Sequence, residues 1–486
     1  MNYIEISKFT RDEIISQLPN SKWDVIIIGG GITGAGVALE CVNRGWKTLL
    51  LDKCDFASGT SSKSSGMVHG GLRYLEQGNF KLVKEALKER YFLSKKLPEL
   101  VKSNRFLFPI YNSWWMYLKV KLGVFLYDLF AGKFNLKNHS RLTKKQILEN
   151  YKLINPLNLK GGFIYSDCLV SDSHLVLSIL STAVQKGLAL ANYVKVSPPT
   201  KNNLYYELKW DDQVSKLSGK LNSKVVISCT GVWSNNFNLS KNKLIRPTKG
   251  VHIVIPYNRL QIPTSFVLPS NDGRILFANR MGDFLYIGTT DTDFQANYDK
   301  VYAESEDIKY ILKKVNGIFP TINISPNDII STWAGLRPLL DNDGNPSQLS
   351  REELIIDNEG YINMCGGKLT TYRCMAKKAI IKAEKYLGIL NKPNKTIQLN
   401  SIYFINESLE TQVENYLKTS MPLTLIDLME RRLNLYRFDE NNGMDNIEFI
   451  SEKMASYLGW SPSERKQQII NYKEYIKLNH DWALTI

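Results

Sequence analysis

A chain of 486 residues, 43% hydrophobic and 22% charged, has an ordinary globular composition and length enough for two or three domains around sizeable cores. Its 62 Lys and Arg against 47 Asp and Glu leave a net charge of +15, which suits an anionic partner: an acidic lipid surface, a phosphorylated substrate or nucleic acid. The lysines are scattered, and no zinc finger, RNA-recognition signature or basic arm accompanies them, so nucleic acid comes last of the three and a merely Lys- and Asn-rich composition stays the plain alternative.

The first twenty residues, MNYIEISKFTRDEIISQLPN, interrupt their apolar groups with acidic ones and read as neither a secretory signal nor a membrane span. The organising stretch follows at 23–36, WDVIIIGGGITGAG. A buried strand from Val25 to Ile28 breaks into Gly29, Gly31 and Gly34, then resumes as a helix through Val37, Ala38 and Leu39. Glycines stand where the turn is tight, where a pyrophosphate approaches the backbone and where helix and strand pack closely. The free N–H groups around Thr33 and the positive helix end form a seat for that phosphate. A second apolar strand ends in Asp52, roughly 20 residues on, where an acidic side chain meets ribose hydroxyls. The stretch 23–52 is therefore read as a complete β-α-β dinucleotide unit.

From Phe56 the chain is rich in Ser and Gly, and Thr60, Ser61, Ser62 and Ser65 can run close to a flat ligand while offering hydroxyl donors. The alternative is a flexible linker, in which His69, Arg73 and Tyr74 are unusual. Helical spacing over 82–97 stops at Pro98. Between 112 and 138 an aromatic, apolar stretch is broken by Lys119, Lys121 and Asp128 before it reaches the ~20 apolar residues of a span. It is a core helix with snorkelling lysines or a helix lying in a lipid surface, and the first reading is favoured.

A strand over 162–170, a helix over 172–184, a hairpin over 204–217 and a further strand over 224–229 follow, the last running into Gly231, which ends it against the cofactor. From 244 to 293 short β runs predict an antiparallel sheet beside the first domain. After a helix over 304–316, the glycines at 366–367 lead into a helix over 369–379, and four charged helical patterns fill the chain after 393. The expected fold is α/β: a Rossmann-like dinucleotide-binding domain (20–95, 160–240 and 330–390), an antiparallel β-sheet domain capping it (96–159 and 241–329) and a helical C-terminal domain (394–486). Six cysteines make no C-x-x-C pair or metal-like cluster; they read as reduced, buried thiols, and no metal is expected.

The motifs GGGITGAG, TSS-K-SS, HGGLRYLE, YSDC, KGVHIV, IGTTDTDF, GLRPL and GGKLTTYR stand in the order found in FAD-dependent glycerol-3-phosphate dehydrogenases, which the chain resembles from 24 to 379. The resemblance implies FAD, held by Gly29, Gly31, Thr33, Gly34, Asp52, Thr60, Ser61, Ser62, Ser65, Gly231, Gly367, Lys368, Leu369 and Thr370. It implies oxidation of sn-glycerol 3-phosphate to dihydroxyacetone phosphate, with hydride passing to FAD. That reaction needs a base, and of five histidines His69 is the first choice and His252 the second; His139, His174 and His480 read as structural or surface groups. Arg73, Arg337 and Lys368 match the cations that hold the phosphate and hydroxyls, Arg337 counting also among the catalytic set, with Tyr74 and Arg351 as weaker candidates. The chain departs from the pattern at SDSHL, which leaves His174 without a carried-over role, and at SCTGVW.

Electrons then leave to a membrane quinone or to oxygen as hydrogen peroxide, and the motifs serve both. The charge and the aromatic segment favour the quinone, an anionic membrane surface and a cytoplasmic enzyme attached peripherally to the inner face of the cell membrane. The rivals are a glycerol-3-phosphate oxidase and a non-catalytic flavin-binding or RNA-modification module. The sequence leaves open whether the chain forms a homodimer and whether the flavin is covalent.

Overall fold

The computed structural model describes residues 5–485 apart from 77, 241, 271, 273, 342–352 and 389–396. Two sheets organise these residues. The first runs, edge to edge, through strands Glu353–Asn358, Tyr361–Gly366, Ser218–Ser228, Trp23–Ile28, Thr48–Leu51 and Ala189–Ala191. From Tyr361–Gly366 onward every neighbouring pair along that path is parallel. Its central strand is apolar at every residue from Val25 to Ile28 because both faces are covered. Val25 and Ile27 face the helices Ile32–Val42 and Tyr372–Leu387, while Ile26 and Ile28 face Leu208, Trp210 and Leu221 of the long hairpin. Each such fully buried side chain contributes about 1.5–3 kcal/mol.

The hairpin departs from expectation. It pairs Tyr205–Asp212 with Ser218–Ser228, and that second strand continues without a break into the central sheet, so the hairpin and the strand expected over 224–229 are one element. Polar Ser218, Lys220 and Asn222 alternate with apolar neighbours only where one face meets solvent, which hid the continuity.

The second sheet is mixed. Strands Ile245–Pro256, Ser265–Pro269, Ile275–Met281 and Phe284–Gly288 form the expected antiparallel run, and Ser265–Pro269 then pairs in parallel with Val101–Tyr111. Leu159–Val170 and Ser331–Leu340 also belong to this sheet, so the segments expected at 160–240 and 330–390 begin in the second layer before returning to the first.

Helix Trp114–Ala131 settles the ambiguity of its segment by using both faces. Tyr117, Val120, Val124 and Tyr127 are buried against the second sheet, so the core reading holds for one side only. Trp115, Leu118, Leu122, Phe125 and Leu129, spaced three and four apart, lie 54–76% exposed on the other. Among the described residues no helix is long and apolar enough to cross a membrane. The C-terminal helices Leu409–Thr419, Leu425–Arg431 and Ile447–Leu458 share a continuous core with the dinucleotide half: Tyr416, Leu428 and Met454 join the cluster that holds Val25 and Ile27. His174 explains part of that union. Buried on helix Asp172–Val184, its ring nitrogens meet Ser171 Oγ at 2.6 Å and Tyr416 OH at 2.9 Å, and burial pushes the imidazole down to about 3, so it is a neutral structural bridge.

Candidate active site

Two cavities meet at the carboxyl ends of the parallel strands, where ligands bind in open α/β sheets. The inner one, of about 420 Å³, starts at the glycine turn and is lined by Gly29, Gly31, Thr33, Asp52, Thr60, Ser61 and Gly231. Gly29 has φ +104°, a backbone conformation that L side chains rarely adopt. Gly34 packs so closely under the turn that a Cβ there would lie 3.0 Å from the Gly29 carbonyl carbon and nearer still to its oxygen. Gly31 caps helix Ile32–Val42 without a side chain, and Ser61 Oγ accepts from Ile32 N at 3.0 Å, so the serine loop arrives at the positive helix end.

Asp52 accepts from Gly30 N at 2.6 Å and from Cys54 N at 2.9 Å. A carboxylate has about four lone-pair sites, so two remain for ribose hydroxyls. Burial raises its pKa to about 6, against the opposing pull of those two N–H groups. Lys53, which the sequence reading passed over, sets its ammonium 3.9 Å from the Trp233 ring centroid and 2.6 Å from Asp299 at the cavity wall.

The outer cavity, of about 470 Å³, contains the residues expected to handle the substrate: His69, Arg73, Tyr74, His252, Arg337 and Lys368 all line it, with Ser65 and Thr370. Thr60, Ser64, Pro338, Gly367, Lys368 and Leu369 line both cavities and mark their junction. Arg351 lies outside the described residues. Ser62 lines neither cavity; it is buried, and its carbonyl turns away to accept from Arg437 at 2.6 Å. The helix expected from 369 begins instead at Tyr372, and Thr370 uses its hydroxyl to accept from His69 N at 3.2 Å, tying two motifs together.

The turn that carries His69 is braced from below. Gly70 N donates to Tyr127 OH at 2.7 Å and to Asp167 Oδ1 at 3.1 Å, and Asp167 Oδ1 also receives Tyr127 OH at 2.7 Å and buried Arg90 at 2.8 Å. Asp167 thus gives the aspartate of YSDC a bracing role that no local sequence pattern announced. Arg337 is oriented by Asp291 Oδ1 at 3.0 Å, Thr289 Oγ1 at 2.9 Å and Thr290 O at 3.1 Å, so its charge is shared with a carboxylate. Lys368 Nζ sits 3.5 Å from the Tyr74 ring centroid. His252 is 2% exposed, stacks on Trp333 at 4.7 Å and 11°, and meets Ser65 Oγ through Nε2 at 3.0 Å. Burial, then Arg337 and Arg437, hold its pKa well below the usual imidazole range, so it stays neutral. His139 pairs with Asp128 at 2.7 Å and His480 bonds the carbonyls of Ile476 and Ile330, and neither lines a cavity.

A glycine cradle, an acidic group with spare acceptors and a hydroxyl-rich loop fit a flavin dinucleotide. The family model described as FAD dependent oxidoreductase matches residues 24–373. The chain is 35% identical over 394 residues to the aerobic glycerol-3-phosphate dehydrogenase of Staphylococcus saprophyticus, covering 79% of this chain and 71% of that one. It is 36% identical over 392 residues to the enzyme of the same name from Bacillus subtilis, covering 78% and 70%. The solved glycerol-3-phosphate dehydrogenase from Bacillus halodurans complexed with FAD superposes with a TM-score of 0.80 at 26% identity, over 98% of this chain and 99% of that one. An L-alpha-glycerophosphate oxidase from Mycoplasma pneumoniae with FAD bound shares the fold, at a TM-score of 0.58 and 17% identity over 78% and 98%.

Proposed function

The chain belongs to the FAD-dependent oxidoreductase family, and on that premise we propose that it oxidises sn-glycerol 3-phosphate to dihydroxyacetone phosphate. FAD, when bound, supplies the hydride acceptor. The observation that carries the reading is the junction: Thr60, Ser64, Gly367 and Lys368 border both a dinucleotide cradle and a cavity walled by Arg73, Arg337 and two histidines.

The chain's own residues have separable tasks in this scheme. Gly29, Gly31 and Thr33 hold the pyrophosphate, with Gly34 packed beneath to let the helix approach the turn, Asp52 the ribose, and the 366–370 turn the flavin end. Arg73, Arg337 and Lys368 bind the substrate phosphate; guanidinium groups give the planar, paired hydrogen bonds that fix its orientation. His69 takes the hydroxyl proton. His252, kept neutral in its stack on Trp333, is better suited to shape the wall than to carry a charge.

The electron acceptor is a membrane quinone, and the enzyme attaches to the inner face of an anionic membrane through helix Trp114–Ala131. Support comes from the stripe of Trp115, Leu118, Leu122, Phe125 and Leu129 and from the charge around it: between 112 and 160 there are nine Lys and Arg against Asp128 and Glu149. Leu122 and Leu126 of this helix also line the outer cavity. The test places the holoenzyme on anionic vesicles with sn-glycerol 3-phosphate and follows a quinone analogue beside peroxide. Quinone reduction that falls when salt strips the protein from the vesicles supports the reading; peroxide as the main product assigns oxygen instead.

A further inference from the structure

The serine loop that borders both cavities is pinned from behind at several backbone points. Ser64 N and Oγ donate to Asp172 Oδ2 at 3.1 and 2.8 Å, Ser64 O accepts from Trp333 Nε1 at 3.3 Å, and Ser65 O accepts from Tyr286 OH at 3.2 Å. These partners lie within residues 24–373, the stretch that the family model matches. The pin on Ser62 does not. It is Arg437, from the C-terminal helical region, whose Nη1 donates to Ser62 O at 2.6 Å.

The same guanidinium reaches a second feature of the site. Its carbon lies 4.7 Å from the centroid of Trp333, the ring that stacks on His252 at 4.7 Å. Its Nη2 donates to buried Glu430 Oε1 at 2.7 Å, and the backbone beside it docks on the strand under Trp333: Ser331 Oγ donates to Arg437 O at 2.9 Å and Tyr436 OH to Thr332 O at 2.8 Å. One planar side chain, 5% exposed, is therefore fastened to the loop, to the Trp333–His252 stack and, through Glu430, to helix Leu425–Arg431. A planar fork can hold several partners in fixed directions at once, whereas an ammonium on a flexible stem cannot.

We propose that Arg437 is a positioning residue for the flavin site: it sets the 60–65 loop against the cofactor and the plane of His252 against the outer cavity. The helical region after residue 393, which lines neither cavity, is then a brace behind the site. The proposal rests on the cofactor and not on the substrate reading, so its failure leaves that reading standing.

The experiment measures release of FAD from Arg437→Gln and Arg437→Lys holoenzyme by recovery of FAD fluorescence, with visible circular dichroism of the bound flavin and thermal unfolding of the apoprotein alongside. Tyr472→Phe is the control, since it removes a buried C-terminal hydrogen bond, Tyr472 OH to Asn442 O at 2.6 Å, that involves neither Arg437 nor the 60–65 loop. Arg437→Gln should release FAD about tenfold faster and alter the flavin dichroism, Arg437→Lys should fall between it and the wild type, and Tyr472→Phe should move only the unfolding temperature. Unchanged release and dichroism in Arg437→Gln overturn the proposal, as does faster release matched by Tyr472→Phe. If Arg437→Gln does not fold, Arg437→Lys decides alone: wild-type release overturns the proposal and about threefold faster release with apoprotein unfolding unchanged upholds it.

Discussion

Gly34→Ala tests the cradle most sharply. The added Cβ would be driven into the Gly29 carbonyl, 3.0 Å from its carbon, with Cys229 Cβ 3.5 Å away. The first obstacle is backbone, so no rotamer change relieves it and the helix N-terminus must retreat from the turn. Overpacking of this kind costs about 1–3 kcal/mol. The retreat also withdraws N–H groups from the phosphate, and a hydrogen bond to a charged group contributes about 1.5–3 kcal/mol. At 1.4 kcal/mol per tenfold, FAD should bind roughly ten- to 150-fold more weakly. The assay is quenching of FAD fluorescence by titrated apoprotein. Gly45→Ala is the reference: unlike Gly34, Gly45 has positive φ, +76°, and open space where its Cβ would stand, so it should lose about 1–2 kcal/mol of stability with no loss of FAD affinity. If Gly34→Ala binds FAD within about twofold of the wild type, the packing argument for the cradle is wrong.

Three further outcomes follow from the geometry. His69→Ala should slow anaerobic flavin reduction by roughly 10² to 10⁴ while FAD content holds; an unchanged rate moves the base elsewhere. Arg337→Ala should raise the KM for sn-glycerol 3-phosphate far more than it lowers FAD content, and equal loss of both would count against a phosphate role; Asp291, left beside the cavity without its guanidinium partner, should deepen the effect. Affinity for FAD should strengthen as pH rises through about 6, because ribose hydroxyls donate best to the charged form of Asp52. The apoprotein should show the opposite trend: the folded carboxyl titrates higher than the unfolded one, so its contribution is fully present below the unfolded value of 3.8 and lost as pH rises through about 6. An FAD affinity that is flat across that range removes Asp52 from the ribose.

What could be read from residues alone was whatever is periodic or local. The apolar run before Gly29 and the spacing to Asp52 specify a parallel strand, a turn and a second strand, and Val25 to Ile28 are buried in the order that a doubly covered strand requires. Long-range register is another matter. The pairing of Arg337 with Asp291 depends on how Ser331–Leu340 lies beside Ile245–Pro256, and nothing within either stretch states it. Ser62 reads like its hydroxyl neighbours, yet an irregular loop has no period to say which side chain faces the ligand. Amphipathic patterns located the C-terminal helices but not their partner, since an apolar face fits another domain as well as a separate core. Asp167, Lys53, His174 and Arg437 share that cause: each matters through residues far away in the chain.

The central claim is that a flavin sits beside a cationic pocket so that a small phosphate ester can reduce it. Stopped-flow mixing of oxidised holoenzyme with sn-glycerol 3-phosphate, without oxygen, measures this directly through the visible flavin band. The phosphate ester should bleach the band rapidly, and glycerol at the same concentration should not bleach it. A band that stays oxidised with the ester, or bleaches equally with glycerol, contradicts that claim.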